Sequence, residues 1–261
     1  MDASATRLLI FVTVLLLMMV LEHLSPKRVR QSVARRWSSN LALAFISVTL
    51  SRLLVPVSAV LLAEQAIDNG WGLMAKSPIP IPFLLDVALG IILLDLGVYL
   101  QHVLSHRIPF LWRIHRVHHT DSDIDVTTAL RFHPLEILLS GTYKLLLVLI
   151  IGPVALSVII FEILLNASAM FNHANLHIPK KLDSWLRWLV VTPDMHRVHH
   201  SCIERETDSN FGFFIPLWDR LFGTYCEAPE GGHKGMNIGL EEYGQSPTAN
   251  LGWLLVNPFK R

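Results

Sequence analysis

Residues 81–106, IPFLLDVALGIILLDLGVYLQHVLSH, are apolar almost throughout yet carry a spaced set of polar side chains. From Ile81 to about Leu104 the run is long enough to cross a hydrocarbon core as a helix, which takes about 20 residues. Within it Asp95, Tyr99, His102 and His106 fall at i, i+4, i+7 and i+11, one stripe on a helix. Ionisable groups inside a bilayer are costly and face a cavity or a partner. The stretch therefore predicts a membrane helix whose polar stripe leads to a histidine pair at one end.

Working outward, the chain repeats this pattern. Of its 261 residues 52% are hydrophobic and 16% charged, far from the soluble average. Further apolar runs cover Leu8 to Leu21, Leu41 to Ala63 with only Arg52 and Pro56 interrupting, and Leu135 to Met170 with Gly152 and Pro153 near its middle. The expected fold is all-α: an integral membrane helical bundle of three spanning helices plus a helical hairpin. No small-residue cleavage site follows the first run, so it reads as a retained helix. In the second arm of the hairpin Glu162, Asn166, His173 and His177 share a helical arc, a second polar stripe expected to meet the first.

Lys27, Arg28, Arg30, Arg35 and Arg36 lie between the first two runs, against Glu64, Asp68 and Lys76 between the second and third. The positive-inside rule puts the basic loop in the cytoplasm, and two further crossings return the chain to that side after Leu104. A cytoplasmic, histidine-rich helical cap is thus expected on a multi-pass protein of the bacterial inner membrane or endoplasmic reticulum. With 22 basic and 21 acidic residues there is no global field to attract nucleic acid, and Cys202 and Cys226 are too few for a disulfide framework.

The pentapeptide HRVHH occurs twice, at 115–119 and 196–200, with unrelated flanks RIPFLW and VVTPDM. Thr192-Pro193-Asp194 has the residues of a helix start, and Pro109 offers the same to the first copy. On a helix each copy fans three imidazoles over an arc of about 100°. With His102/His106 and His173/His177 they make ten histidines in four groups, five for each of two metals. Neutral imidazole suits iron, zinc, copper or nickel. A lone pair of histidines would most simply be structural, but so many in an apolar setting would leave many polar atoms to satisfy. His23, His133 and His233 read as interfacial, packing and surface residues, and DSDIDV from Asp121 as a solvated loop. Rival readings are a histidine-rich membrane metal transporter and a haem-binding electron-transfer protein. Histidines gathered at one end argue against the first, and their number against the second.

In order, the HxxxH, HxxHH, HxxxH and HxxHH motifs, with HRVHHTDSDIDVTTALRFHP, FNHANLH, TPDMHRVHH, NFG at 210–212 and LWDRLFGTY ending at Tyr225, resemble the fatty acid hydroxylase/sterol desaturase superfamily. The resemblance covers roughly residues 85–226. It implies a catalytic domain over 81–226, preceded by N-terminal membrane helices over 1–80 and followed by a tail over 227–261 that reads as interfacial. It further implies a non-haem centre of two iron ions, with zinc a possible occupant after purification, using O₂ and two external electrons to hydroxylate or desaturate a fatty acyl or sterol-like lipid. Carried over, His102, His115, His118, His173 and His177 hold one metal and His106, His119, His196, His199 and His200 the other. Asp95, Asp194 and Asn172 are the candidates for orienting the imidazoles. Asp95 alternatively lines a lipid-chain channel or bonds a neighbouring helix. Arg116 and Arg197 read as solvated by default, or as contacts for lipid phosphate or an acidic donor. No flavin or haem motif is visible, so the electron donor is expected to be a separate protein, cytochrome b5-like or a ferredoxin with its reductase.

Overall fold

The computed structural model describes residues 3–30 and 33–260, and among them every regular element is helical; the only strand-like pairings are the isolated bridges Pro26 to Leu176 and Ser201 to Ile238. The helices are α1 (Ala3–Leu24), α2 (Val33–Leu54), α3 (Ala59–Asp68), α4 (Phe83–Arg107), α5 (Pro109–His119), α6 (Pro134–Ile151), α7 (Ala155–Asn172), α8 (Lys180–Leu186), α9 (Pro193–His199), α10 (Glu204–Thr207), α11 (Leu217–Leu221), α12 (Gly232–Gly235) and α13 (Leu251–Val256). Five stretches are long and apolar enough to cross a membrane: 5–24, 34–68, 83–107, 134–151 and 155–172. This is the membrane helical bundle the sequence predicts.

The second stretch departs from a single straight span. Pro56 cannot donate to the helical ladder and disfavours helix at Val55, so α2 stops at Leu54 and α3 restarts at Ala59. The Ser58 hydroxyl accepts a weak bond from the Leu61 N–H at 3.5 Å and caps the restart. The hairpin forms where expected. Gly152 takes the left-handed conformation (φ 64°) that ends α6, and Pro153 follows it. The backbone of Gly72 approaches so closely that a Cβ there would lie 2.4 Å from the Gly152 nitrogen. The N–H groups of Leu73 and Met74 donate to the Ile150 and Ile151 carbonyls at 2.9 and 2.7 Å, satisfying the end of α6.

An apolar core joins α3, α4, α6 and α7 through Ala63, Leu94, Val148, Val158 and Phe161. The second polar stripe ends at His173, the C-cap of α7. Glu162 pairs with Arg7 of α1 and Lys144 of α6, an all-ionic triad inside the bundle. Helix α7 ends at Asn172, before His177. The chain then runs extended beside Ser25 and Pro26, and the His177 N–H donates to the Ser25 carbonyl at 2.8 Å.

The basic loop and the DSDIDV stretch from Asp121 both serve the protein interior. Lys27 pairs with Asp194 at 2.6 Å, and Arg28 donates to the His233 carbonyl at 2.7 Å. Arg36 makes a bidentate pair with Asp121 (2.6 and 2.8 Å) and bonds Asp125 at 2.8 Å. Arg131, fully buried, donates to Val117 O, Asn40 Oδ1, Thr120 Oγ1 and Thr248 O. The stretch 121–125 is therefore a buried, neutralised junction rather than a solvated loop. The tail also docks inward, with Trp253 and Leu254 on Leu43 of α2 and Val117 of α5.

Candidate metal centre

Two short helices present the histidines. Pro109 and Pro193 each occupy the first turn of their helix, where the missing N–H has no intrahelical partner to lose. The Thr192 hydroxyl caps α9 by accepting from Met195 N at 3.3 Å. The HRVHH copies thus lie on helices as predicted, in the last turn of α5 and through α9 into its cap at His200.

The nitrogen atoms of His102, His106, His115, His119 and His199 gather so that all lie within 4.8 Å of one another, and those of His118, His173, His196 and His200 do the same. In each HRVHH the histidines four apart share a group, while the middle one turns to the other. His115 and His119 meet His199, and His196 and His200 meet His118. Residues four apart lie one above the other on a helix, and the histidine between them is rotated by about 60°. This grouping differs from the partition carried over from the resemblance, and His177 is exposed and lies outside both groups.

Several imidazoles are held from behind. His102 Nδ1 donates to the Phe211 carbonyl, His199 Nδ1 to Ser209 O and His173 Nδ1 to Ala169 O, each at 2.7 Å. His115 Nδ1 faces Glu136 Oε1 at 2.5 Å, and His106 Nδ1 faces Asp208 Oδ1 at 3.2 Å. Fixing Nδ1–H in this way leaves the Nε2 lone pair pointing inward. The Nε2 atoms of His102, His106 and His199 are buried without a hydrogen-bond partner among the described residues, as are both ring nitrogens of His200. The Nε2 of His173 lies 3.0 Å from that of His118 and 3.1 Å from that of His196. Burial, reinforced by neighbouring imidazoles, holds His118, His119, His196 and His200 far below the usual histidine range; burial chiefly also puts His173 at about 4 and His199 at about 3. Neutral rings with converging lone pairs fit a cation of the transition series. A ligand nitrogen sits about 2.0–2.1 Å from zinc, so each group needs only small ring movements to close on an ion. The two groups are able to hold metal.

The expected supporting residues stand elsewhere. Asp95 accepts from Ile215 N (3.2 Å) and Trp218 Nε1 (2.8 Å), so it bonds a neighbouring segment. Asp194 pairs with Lys27 and Arg197, and Asn172 donates to Phe213 O. None of the three has a hydrogen bond to an imidazole among those of the described residues. Glu136 and Asp208 take that place instead. Glu136 was hidden because an acid in the first helical turn is already explained by the helix dipole, and Asp208 because ERETDSN reads as an ordinary polar loop. Arg116 and Arg197 are buried, not solvated. Arg116 donates to Asn257 and Lys260 of the tail, and Arg197 pairs with Asp194 within α9 and donates to the Ala174 carbonyl at 3.5 Å.

Comparison with known proteins follows the same residues. The profile described as fatty acid hydroxylase matches residues 87–224, more than half of the chain. The chain belongs to the fatty acid hydroxylase family. Similar proteins in this family include ornithine lipid hydroxylase OlsE of Rhizobium tropici, 29% identical over 149 residues that make up 57% of this chain and 44% of the relative. Alkylglycerol monooxygenase of Xenopus tropicalis is 32% identical over 136 residues, 52% of this chain and 29% of the relative. Human cholesterol 25-hydroxylase is 24% identical over 139 residues, 51% and 48% of the two chains. The matched region spans less than half the length of each relative. No solved structure matches.

Proposed function

We propose that this family member is a membrane di-iron oxidoreductase that hydroxylates a lipid, with O₂ as cosubstrate and electrons from a separate protein. The observation that carries it is the convergence of nine histidines, eight of them buried, in one group of five and one of four beside the membrane helices. Bound iron supplies the O₂ chemistry of hydroxylation, in which RH, O₂, two electrons and two protons give ROH and water. His102, His106, His115, His119 and His199 would hold one ion and His118, His173, His196 and His200 the other. Glu136, Asp208 and the carbonyls of Phe211, Ser209 and Ala169 orient the rings. Phe211, Phe213, Trp112 and Phe132 pack against the imidazoles, with ring centroids 4.4–5.1 Å from their nearest histidine, and keep water from the centre. That the relatives are named for ornithine lipid, alkylglycerol and cholesterol supports a lipid with a long apolar body, presented from the bilayer. The imidazoles pack directly on one another, with ring centroids of 4.3–4.7 Å between His173 and His196, His102 and His199, and His106 and His199, which leaves no porphyrin-sized gap between these pairs and favours this reading over haem. We place the centre on the cytoplasmic side on the strength of the basic loop joined to it.

Comparative lipid mass spectrometry of cells carrying the native chain or His199→Ala tests the reaction. A lipid that gains one oxygen only with the native chain supports hydroxylation, whereas loss of two hydrogens identifies desaturation. No lipid difference, with iron occupancy verified and a working reductant present, overturns the reading.

A further inference from the structure

Outside the spanning helices, six of the exposed large apolar side chains lie on two neighbouring pieces of the cap. Leu182, Trp185, Trp188 and Leu189 project from α8 and the turn after it, and Leu221 and Phe222 from α11. Their exposure is extreme for such residues: 77% for Trp185, 71% for Leu189 and 70% for Leu221. The Arg220 guanidinium joins the two pieces, lying 4.3 Å from the Trp188 ring centroid and 4.0 Å from that of Tyr225. A contiguous apolar patch of this kind marks an interaction surface.

The depth of the patch names its partner. Phe222 stacks on Tyr99 of α4 with ring centroids 5.4 Å apart, and the segment before it is bonded to Asp95 through Ile215 N and Trp218 Nε1. Asp95 lies twelve residues before the end of α4, about 18 Å along the helix at 1.5 Å per residue. A hydrocarbon core is about 30 Å thick, so α11 and the irregular segment that leads into it at Ile215 run beside the half of α4 that ends at the histidines. Irregular backbone at such depth requires its polar groups to be satisfied within the protein, which is what the Asp95 carboxylate does for Ile215. Exposed Lys180 and Lys181 border the patch, and tryptophan is the residue favoured where hydrocarbon meets headgroups. We infer that the α8–α11 face is immersed in the membrane leaflet at the histidine end, continuous with the lipid-facing side of α4, with its lysines toward anionic headgroups. The cap is then a lipid-embedded element, and the centre lies below the headgroup plane.

The test uses the full chain in nanodiscs of phosphatidylcholine and phosphatidylglycerol, with Cys202→Ser and Cys226→Ser as background. Nitroxide labels are placed singly through Trp185→Cys, Leu189→Cys and Leu221→Cys. Leu53→Cys on α2 serves as the lipid-facing reference and Glu204→Cys as the water-facing one. The expected ratio of oxygen to nickel-chelate collisions at the three patch sites matches Leu53 and is several-fold above Glu204. A ratio equal to that of Glu204 overturns the inference in favour of open solvent, and suppression of both collisions overturns it in favour of a second protein copy. As a label-free check, Trp185→Phe with Trp188→Phe lowers the fraction of tryptophan emission quenched by bromine-bearing acyl chains; an unchanged fraction counts against immersion. Neither readout involves metal or turnover, so each stands apart from the hydroxylase proposal.

Discussion

Glu136 carries more of the centre than its place in the sequence suggests. Its carboxylate fixes His115 Nδ1 from 2.5 Å, so Glu136→Gln keeps the size of the side chain but weakens the hold on the ring. Losing a partner behind a metal-bound histidine lowers affinity or activity by roughly 10–100-fold, and competitive metal titration of the purified variant is expected to give a loss in that range. His173 and His177 make a sharper contrast. His173→Ala is expected to lose metal from the group of four, whereas His177→Ala keeps the native metal content by elemental analysis, because His177 is exposed and outside both groups. Nine of the ten histidines read from the sequence come together in space. The tenth, His177, stands apart because helical periodicity does not extend past Asn172, where backbone pairing with Ser25 and Pro26 replaces the helix. Spacing reports which residues share a face only for as long as the helix lasts.

Helix α2 lies outside the region that matches the family profile, yet its Arg36 closes the buried junction beside the first histidine comb. Removing one partner of a buried ion pair costs roughly 3–5 kcal/mol, because the other charges remain buried. Arg36→Ala is therefore expected to lower unfolding stability by that amount in chemical denaturation. Arg36→Lys recovers only part of it, since an ammonium cannot reproduce the bidentate fork to Asp121. The helices of the bundle were legible from apolar runs, and the caps at Thr192, Pro193 and Gly152 from local residue chemistry. The junction was not, because DSDIDV and the basic loop each look solvated until the fold brings them together. Pairing between segments some 85 residues apart leaves no local trace.

At the scale of the whole molecule the buried imidazoles make stability depend on pH once metal is removed. His173 and His199 are held at about 4 and about 3, against about 6.5 in an unfolded chain, so below pH 6.5 the unfolded state binds more protons. The chelated protein is expected to have its full stability above about pH 6.5 and to lose it progressively toward pH 3–4, read as a falling midpoint of thermal unfolding in detergent. The apolar bundle and its orientation are linked as well. Lys27 and Arg28 bind Asp194 and the His233 carbonyl, so the basic loop and the cap must lie on one side. A cysteine replacing Glu204 is expected to react with an impermeant maleimide only when the cytoplasmic face is open, in inverted vesicles. The crossing of the two histidine combs has a further consequence during biosynthesis. The group of five waits for His199, and the group of four for His196 and His200, which the ribosome delivers within seconds of each other at about 5–20 residues per second. While the hairpin is being inserted the group of five already has His102, His106, His115 and His119 but the group of four has only His118, so on the proposed reading the second iron waits for translation of residues 196–200 and the first site is closed only when His199 arrives.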